Sequence, residues 1–234
     1  PAHPEDDKFY GFVFQDSDFY KWIEAVGYSL TQHPDPELEE TADGAIDLIV
    51  SAQQPDGYLD TYYIINGLDQ RWTNLRDNHE LYCAGHMLEA AVAYWRATGK
   101  RKLLDAMLRY VDYIDSYFGT EEGKCHGYPG HEVLELALMK LYAVTGDPKH
   151  LKLAKYFIDQ RGQAPLYFEN EPHPGKPFHW AKSYFKYQYY QAGKPVREQQ
   201  EAEGHAVRAV YLYSGMADVA RETGDDSLYD ALQS

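Results

Sequence analysis

The chain has 234 residues, 44% of them hydrophobic, and a formal net charge of −15. That length supports one large domain with a sizeable core, read here as residues 1–234. No run reaches the ~20 apolar residues of a membrane-spanning helix, and the acidic balance lacks the clustered lysines and arginines that a nucleic acid demands.

The first predicted helix covers residues 16–31, with Asp16, Ser17 and Asp18 as capping candidates and Phe19, Tyr20, Trp22, Ile23, Val26 and Leu30 at helical spacing. Its partner over 36–52 carries Leu38, Ala42, Ala45, Ile46 and Ile49 on one stripe and acids elsewhere, the pattern of a helix with one wet face. The segment QQPDGYLDTYY, residues 53–63, reads as a small hairpin or an ordered loop because a Pro-Asp-Gly turn precedes β-branched and aromatic residues. From Leu81 to Ala97 nearly every position is apolar, which marks a helix buried all round, whereas 100–118 is amphipathic through Leu104, Leu108, Val111, Ile114 and Phe118. The alternation repeats with an inner helix at 131–145 and an outer one opened by Pro148, then an inner helix at 205–222 and an outer one from near Asp226. Between them, residues 163–203 form a long aromatic insertion with FHW at 178–180 and Tyr184, Phe185, Tyr187, Tyr189 and Tyr190; loops this long in a compact domain are usually functional or disordered, and the aromatic content argues for order.

The units share punctuation. Thr98-Gly99, Thr145-Gly146 and Thr223-Gly224 each end an apolar helix, and glycine past a helix end takes the left-handed conformation that satisfies the last carbonyls. Histidines open the same helices: His79 with His86, then His131, then His205. The predicted fold is therefore all-α, an array of about four helical hairpins forming an incomplete portion of an (α/α)6 barrel. In such a ring His79, His131 and His205 converge on one rim, where they become candidate substrate-binding residues able to donate to sugar hydroxyls. Four hairpins leave the inner flanks open, so either a missing C-terminal portion of the same chain or a homo-oligomer contact covers them, or the chain is a short solenoid that needs no closure.

Catalytic groups are harder to place. The string NHELYCAGH aligns His79, Cys83 and His86 on one helix face and nearly mimics a zinc signature, but Cys83 replaces the second histidine, and a buried cysteine with a core histidine is the stronger reading. Glu80, Glu132, Glu135 and Glu203 lie at helix starts, where acids are common because they complement the dipole. No GxSxG elbow, P-loop or GxGxxG occurs, and a cysteine nucleophile needs an activating neighbour, for which Cys125, preceding His126 in KCHGYPGH, is only a weak candidate. Two cysteines are too few for a disulfide framework and favour a reducing compartment. The opening PAHPEDD has no basic start or apolar stretch, so a cytoplasmic location is expected, with Pro1 suggesting a trimmed chain.

The ordered segments DSDFYKWIEA, AQQPDGYLDTYY, NHELYCAGHMLEAAVAYWRATGKRKLLD, GHEVLELALMKLYAVTGD, LAKYFIDQRG and PVREQQEAEGHAVRAVYLYSGMADVARETGD resemble the N-terminal part of the catalytic domain of glycoside hydrolase family 127, the β-L-arabinofuranosidases. The resemblance implies an (α/α)6 barrel, retaining hydrolysis of β-L-arabinofuranosides of plant glycans or glycoproteins, and a zinc ion held by cysteine thiolates and a glutamate. Its sugar-contacting histidines map onto His79, His131 and His205. Its acid/base glutamate, zinc glutamate and cysteine cluster map beyond the last matched motif, so no catalytic residue and no metal ligand is expected in this chain. Two other readings stand beside it: another (α/α)6 sugar enzyme, such as an epimerase or unsaturated-uronide hydrolase, and a non-catalytic helical repeat binding a protein or glycan in its groove.

Overall fold

The computed structural model describes residues 8–172 and 187–234, and among these the regular structure is helical throughout, with a single isolated β-bridge between Phe118 and Cys125. The inner helices are α1 (Asp16–Gln32), α4 (Glu80–Thr98), α6 (Leu134–Thr145) and α8 (Ala206–Thr223), which pack side by side in that order. Outside them lie α2 (Pro36–Ser51), α5 (Lys102–Tyr117), α7 (Pro148–Gln160) and α9 (Asp226–Gln233), each antiparallel partner following its inner helix. This is the predicted arc of four hairpins.

Burial follows the layer. Every residue of α4 from Glu80 to Tyr94 is buried, while α5 buries only one stripe through Leu103, Leu104, Met107, Tyr110, Val111 and Ile114. Inner helices this close need small residues at the crossing. A Cβ on Gly27 of α1 would meet the Ala93 carbonyl carbon of α4 at 2.9 Å, and one on Gly85 of α4 would meet the Leu134 nitrogen of α6 at 2.9 Å. The Thr-Gly stops behave as read, with Gly99, Gly146 and Gly224 at φ of 73°, 67° and 66°.

Several local expectations shift. Residues 53–63 form no hairpin: a turn leads into a short helix, α3 (Thr61–Asn66), whose first turn is capped by the Asp60 carboxylate accepting from the Tyr63 N–H. The capping candidates of α1 do not cap, because Asp16 is taken by a distant partner and accepts from the Thr61 N–H (2.9 Å) and hydroxyl (2.6 Å). The third inner helix starts at Leu134 rather than 131, so His131 stands in the approach to it. Of the aromatic insertion, FHW, Tyr184 and Phe185 lie outside the described residues; Tyr187 and Tyr190 are buried and Tyr189 is half-buried. The flanks of the arc are open, with Phe19 and Tyr28 of α1 and Val207 and Val210 of α8 exposed. No described helix is long and apolar enough to cross a membrane.

Candidate functional site

Three hairpins bring their histidines together. The His79 and His131 rings lie 5.7 Å apart and the His131 and His205 rings 6.0 Å apart, centroid to centroid. Aromatic side chains frame them. Phe14 packs 4.9 Å from His79, Tyr82 4.3 Å from His131, Tyr211 6.2 Å from His131 and Tyr189 5.3 Å from His205.

The backbone at each position explains the convergence. His79 precedes α4 in the left-handed conformation, at φ 59° and ψ 21°, an uncommon state for a residue with a Cβ. Its Nδ1 lies 2.6 Å from the Asp77 carbonyl oxygen, and His131 Nδ1 lies 2.9 Å from that of Glu132. A carbonyl oxygen can only accept, so in both rings Nδ1 carries the proton and, while the ring is neutral, Nε2 is left as an acceptor. Neutrality is secured by the surroundings: burial, reinforced for both by the Arg208 charge, pushes His79 down to about 4 and His131 to about 2. Burial and Arg208 push His205 down as well. While neutral, His79 and His131 therefore offer Nε2 to the rim as an acceptor.

The inner helices α1, α4, α6 and α8 begin without a side-chain cap at their N-cap residues, whereas Asp35, Asp147 and Asp225 cap the outer helices α2, α7 and α9. First-turn N–H groups and their dipoles at the histidine end therefore add donors to the rim.

The candidate carboxylates have other duties. Glu80 accepts from the Tyr58 hydroxyl (2.6 Å) and the Trp72 N–H (2.8 Å). Glu132 and Glu135 flank the fully buried Arg161 guanidinium at 3.0 and 3.3 Å, and Arg161 also donates to the Tyr190 and Pro129 carbonyls. Burial is the main cause that raises Glu132 to about 7. Glu203 is partly exposed, and burial raises it too. None of this buried cluster announced itself in the sequence, because its members are separated along the chain and follow no period.

Neither cysteine suits a thiolate metal centre. Burial holds the Cys83 thiol protonated among core side chains, and Cys125 lies 3.4 Å from the Tyr167 hydroxyl with its thiol also raised by burial. His86 belongs to another group. Two turns into α4 it sits with Glu24 and Glu89, whose ligand atoms lie within 4.8 Å of one another, and the Lys140 ammonium already pairs with both carboxylates. The predicted core role of His86 agrees with its 2% exposure. A groove of about 390 Å³ on the outer layer, beside Lys124, Lys152 and Lys155, is lined by charges that pair with Glu121 and Asp159 and lies apart from the histidines.

Fold and rim together are those of a helical-hairpin domain in which side chains from successive inner helices gather at one end. Residues 2–234 match the family described as "Beta-L-arabinofuranosidase, GH127 catalytic domain", and the chain belongs to that family. It is 47% identical over 231 residues to the non-reducing end β-L-arabinofuranosidase of Bifidobacterium longum subsp. longum, covering 96% of this chain and 35% of that protein. It also superimposes on the crystal structure of a GH127 β-L-arabinofuranosidase from Geobacillus stearothermophilus T6, with a TM-score of 0.93 and 58% identity over 97% of this chain and 36% of that one. A second solved GH127 β-arabinofuranosidase matches with a TM-score of 0.84 and 41% identity, over 100% of this chain and 35% of that one. The chain spans about a third of the length of these relatives.

Proposed function

We propose that this chain forms the histidine-bearing wall of the sugar pocket in a retaining β-L-arabinofuranosidase, acting on L-arabinofuranosides of plant glycans or glycoproteins. The observation that carries this reading is the convergence of His79, His131 and His205 from three separate hairpins into one row of rings 5.7 and 6.0 Å apart. A row of that span fits one furanose ring. Two Nε2 acceptors side by side suit a pair of sugar hydroxyls, and Tyr82 supplies an apolar face beside them. The zinc centre implied by the family finds no match in Cys83 and Cys125, and no step is derived through it.

The test is a structure of the protein in its natural length with L-arabinose, together with kcat/KM for an aryl β-L-arabinofuranoside. The reading expects hydroxyl oxygens within hydrogen-bond distance of Nε2 of His79 and His131. It expects each histidine-to-alanine change to lower kcat/KM about tenfold to a hundredfold, the loss of one hydrogen bond of roughly 1–3 kcal/mol. A sugar bound elsewhere, or alanine variants with full activity per folded molecule, would overturn it.

A further inference from the structure

The same rim contains a cation, Arg208, two of whose nitrogens have no hydrogen-bond partner among the described residues. Arg208 lies in the first turn of α8, one turn from His205, and is only 6% exposed. Its guanidinium stacks 4.5 Å from the Tyr189 ring centroid and 4.6 Å from that of Tyr190. Yet Nε and Nη1 are buried without a hydrogen-bond partner. Arginine cannot shed its proton to escape this, so the donors stay unmet and the charge stays in place.

The surroundings give this cation no hydrogen-bonded counter-charge among the described residues. The N-terminal end of a helix carries a positive partial charge, and the first turn of α8 contains no acid to offset it. The three histidines nearby are neutral and bring no negative charge. Glu132 feels the Arg208 charge, but it and Glu135 make their ion pairs with Arg161, and no hydrogen bond joins Arg208 to either among the described residues. Stacking on tyrosine faces returns part of the lost solvation but leaves the Nε and Nη1 donors unanswered. A buried ion without a hydrogen-bonded partner is strongly destabilising, and the chemistry that answers such cationic donors best is a carboxylate, which accepts charge-assisted N–H···O bonds.

We propose that Arg208 is a carboxylate-binding residue of the histidine pocket. The carboxylate has two sources with identical chemistry: an aspartate or glutamate side chain of the protein, from the length that its relatives carry beyond the matched region, or an acidic sugar bound beside the histidines. The inference takes its location from the pocket proposed above, but its readouts are structure and binding, so it stands or falls separately from arabinofuranoside turnover.

The experiment is a crystal structure of the protein in its natural length, paired with binding of D-glucuronate and D-glucose followed by thermal shift in the wild type and in Arg208→Met. A side-chain carboxylate oxygen within about 3.2 Å of a guanidinium nitrogen supports the proposal and assigns the source to the protein; D-glucuronate then binds no better than D-glucose. With no such side chain present, the proposal requires D-glucuronate to bind at least tenfold more tightly than D-glucose in the wild type and equally in Arg208→Met. Should Arg208→Met fail to fold, Arg208→Lys keeps the charge without the fork and is expected to lose about tenfold of the same preference. A guanidinium that meets only water, carbonyls or tyrosine faces, with no preference for the acidic sugar, overturns it.

Discussion

The inner rim and the outer helical layer handle polar groups in opposite ways. Outside, charges are exposed and matched: Lys100 pairs with Glu39 and Asp43, Lys102 with Asp47, Lys149 with Asp112, and Arg197 with Asp159 and Asp225. At the rim, by contrast, Nδ1 of His205, both oxygens of Glu132 and two nitrogens of Arg208 are buried without hydrogen-bond partners. Native proteins leave few such atoms; those under the outer helices, Tyr110 Oη of α5 and His150 Nε2 of α7, belong to neutral groups, whereas the rim adds charged ones. The difference teaches that the outer layer needs only to be soluble, while the rim holds polar groups in a low-dielectric place where each one has a large effect.

The largest effect should come from the cluster under the rim. Removing the Arg161 charge in Arg161→Met leaves Glu132 and Glu135 facing each other in a buried site and frees the Tyr190 and Pro129 carbonyls. Breaking a buried pair by deleting one partner costs about 3–5 kcal/mol. Chemical denaturation should show a loss of that size, and a loss under 1 kcal/mol would mean that the cluster is no more costly to disturb than the surface.

His79 sharpens the comparison by separating folding from binding. Its left-handed backbone is strained for any residue with a Cβ, so His79→Gly should relieve about 1 kcal/mol of strain, which roughly offsets the entropy that glycine loses on folding. The same change deletes the Nε2 acceptor. The midpoint of denaturation should therefore fall only by the equivalent of the roughly 1–2 kcal/mol of the lost Asp77 hydrogen bond and ring contacts, while sugar affinity falls about tenfold to a hundredfold. Isothermal titration with L-arabinose beside a melting curve reads both.

How much of this was legible beforehand follows from the range of the interactions. The hairpin plan could be read because helix stops, apolar stripes and first-turn residues act within a few positions: Thr98-Gly99 ends α4 regardless of what packs against it. The three histidines were legible because they repeat in register with those stops. Arg161 and Arg208 were not, since each reads locally as an ordinary charged residue near a helix end, and only the fold brings Glu132 to the first and Tyr189 to the second. Asp16 shows the same limit, as its partner Thr61 lies 45 residues away. Gly85, a glycine inside an otherwise apolar helix, was a signal of close helix approach that the sequence did carry.

Stability should also vary with pH in a direction set by the rim and its supports. Burial raises Asp60 to about 8 and Glu132 to about 7, far above their unfolded values near 4. A raised carboxylate binds its proton more tightly when folded, so its contribution is complete below pH 4 and is lost as pH climbs through 7 to 8. His79, pushed down to about 4, contributes above pH 6.5 and loses that contribution as pH falls towards 4. The two trends oppose each other between pH 4 and 6.5, and only the carboxylate loss continues above it. The melting temperature should thus fall between pH 6.5 and 8, by the equivalent of roughly 1–2 kcal/mol per raised carboxylate. Asp60→Asn keeps the oxygen that accepts from the Tyr63 N–H and removes the ionisation, so it should flatten that fall. An unchanged slope in Asp60→Asn would place the titration elsewhere.

The smallest effect belongs to the outer layer. Lys102 and Asp47 pair across α5 and α2, but their side chains are 56% and 60% exposed. Water screens such a pair at nearly full dielectric strength, and holding two long side chains in one arrangement costs entropy of similar size, so exposed pairs contribute about 0–1 kcal/mol. Lys102→Ala should change stability by less than about 0.5 kcal/mol, and that difference should vanish in 1 M salt, where the screening length is only about 3 Å. The Arg161→Met loss should persist in the same salt, because ions do not enter a site with no exposed surface. Denaturation of both variants at low and high salt makes the contrast direct: equal salt sensitivity in the two would show that the rim cluster is solvated like the surface, and would remove the basis for treating the two layers as different environments.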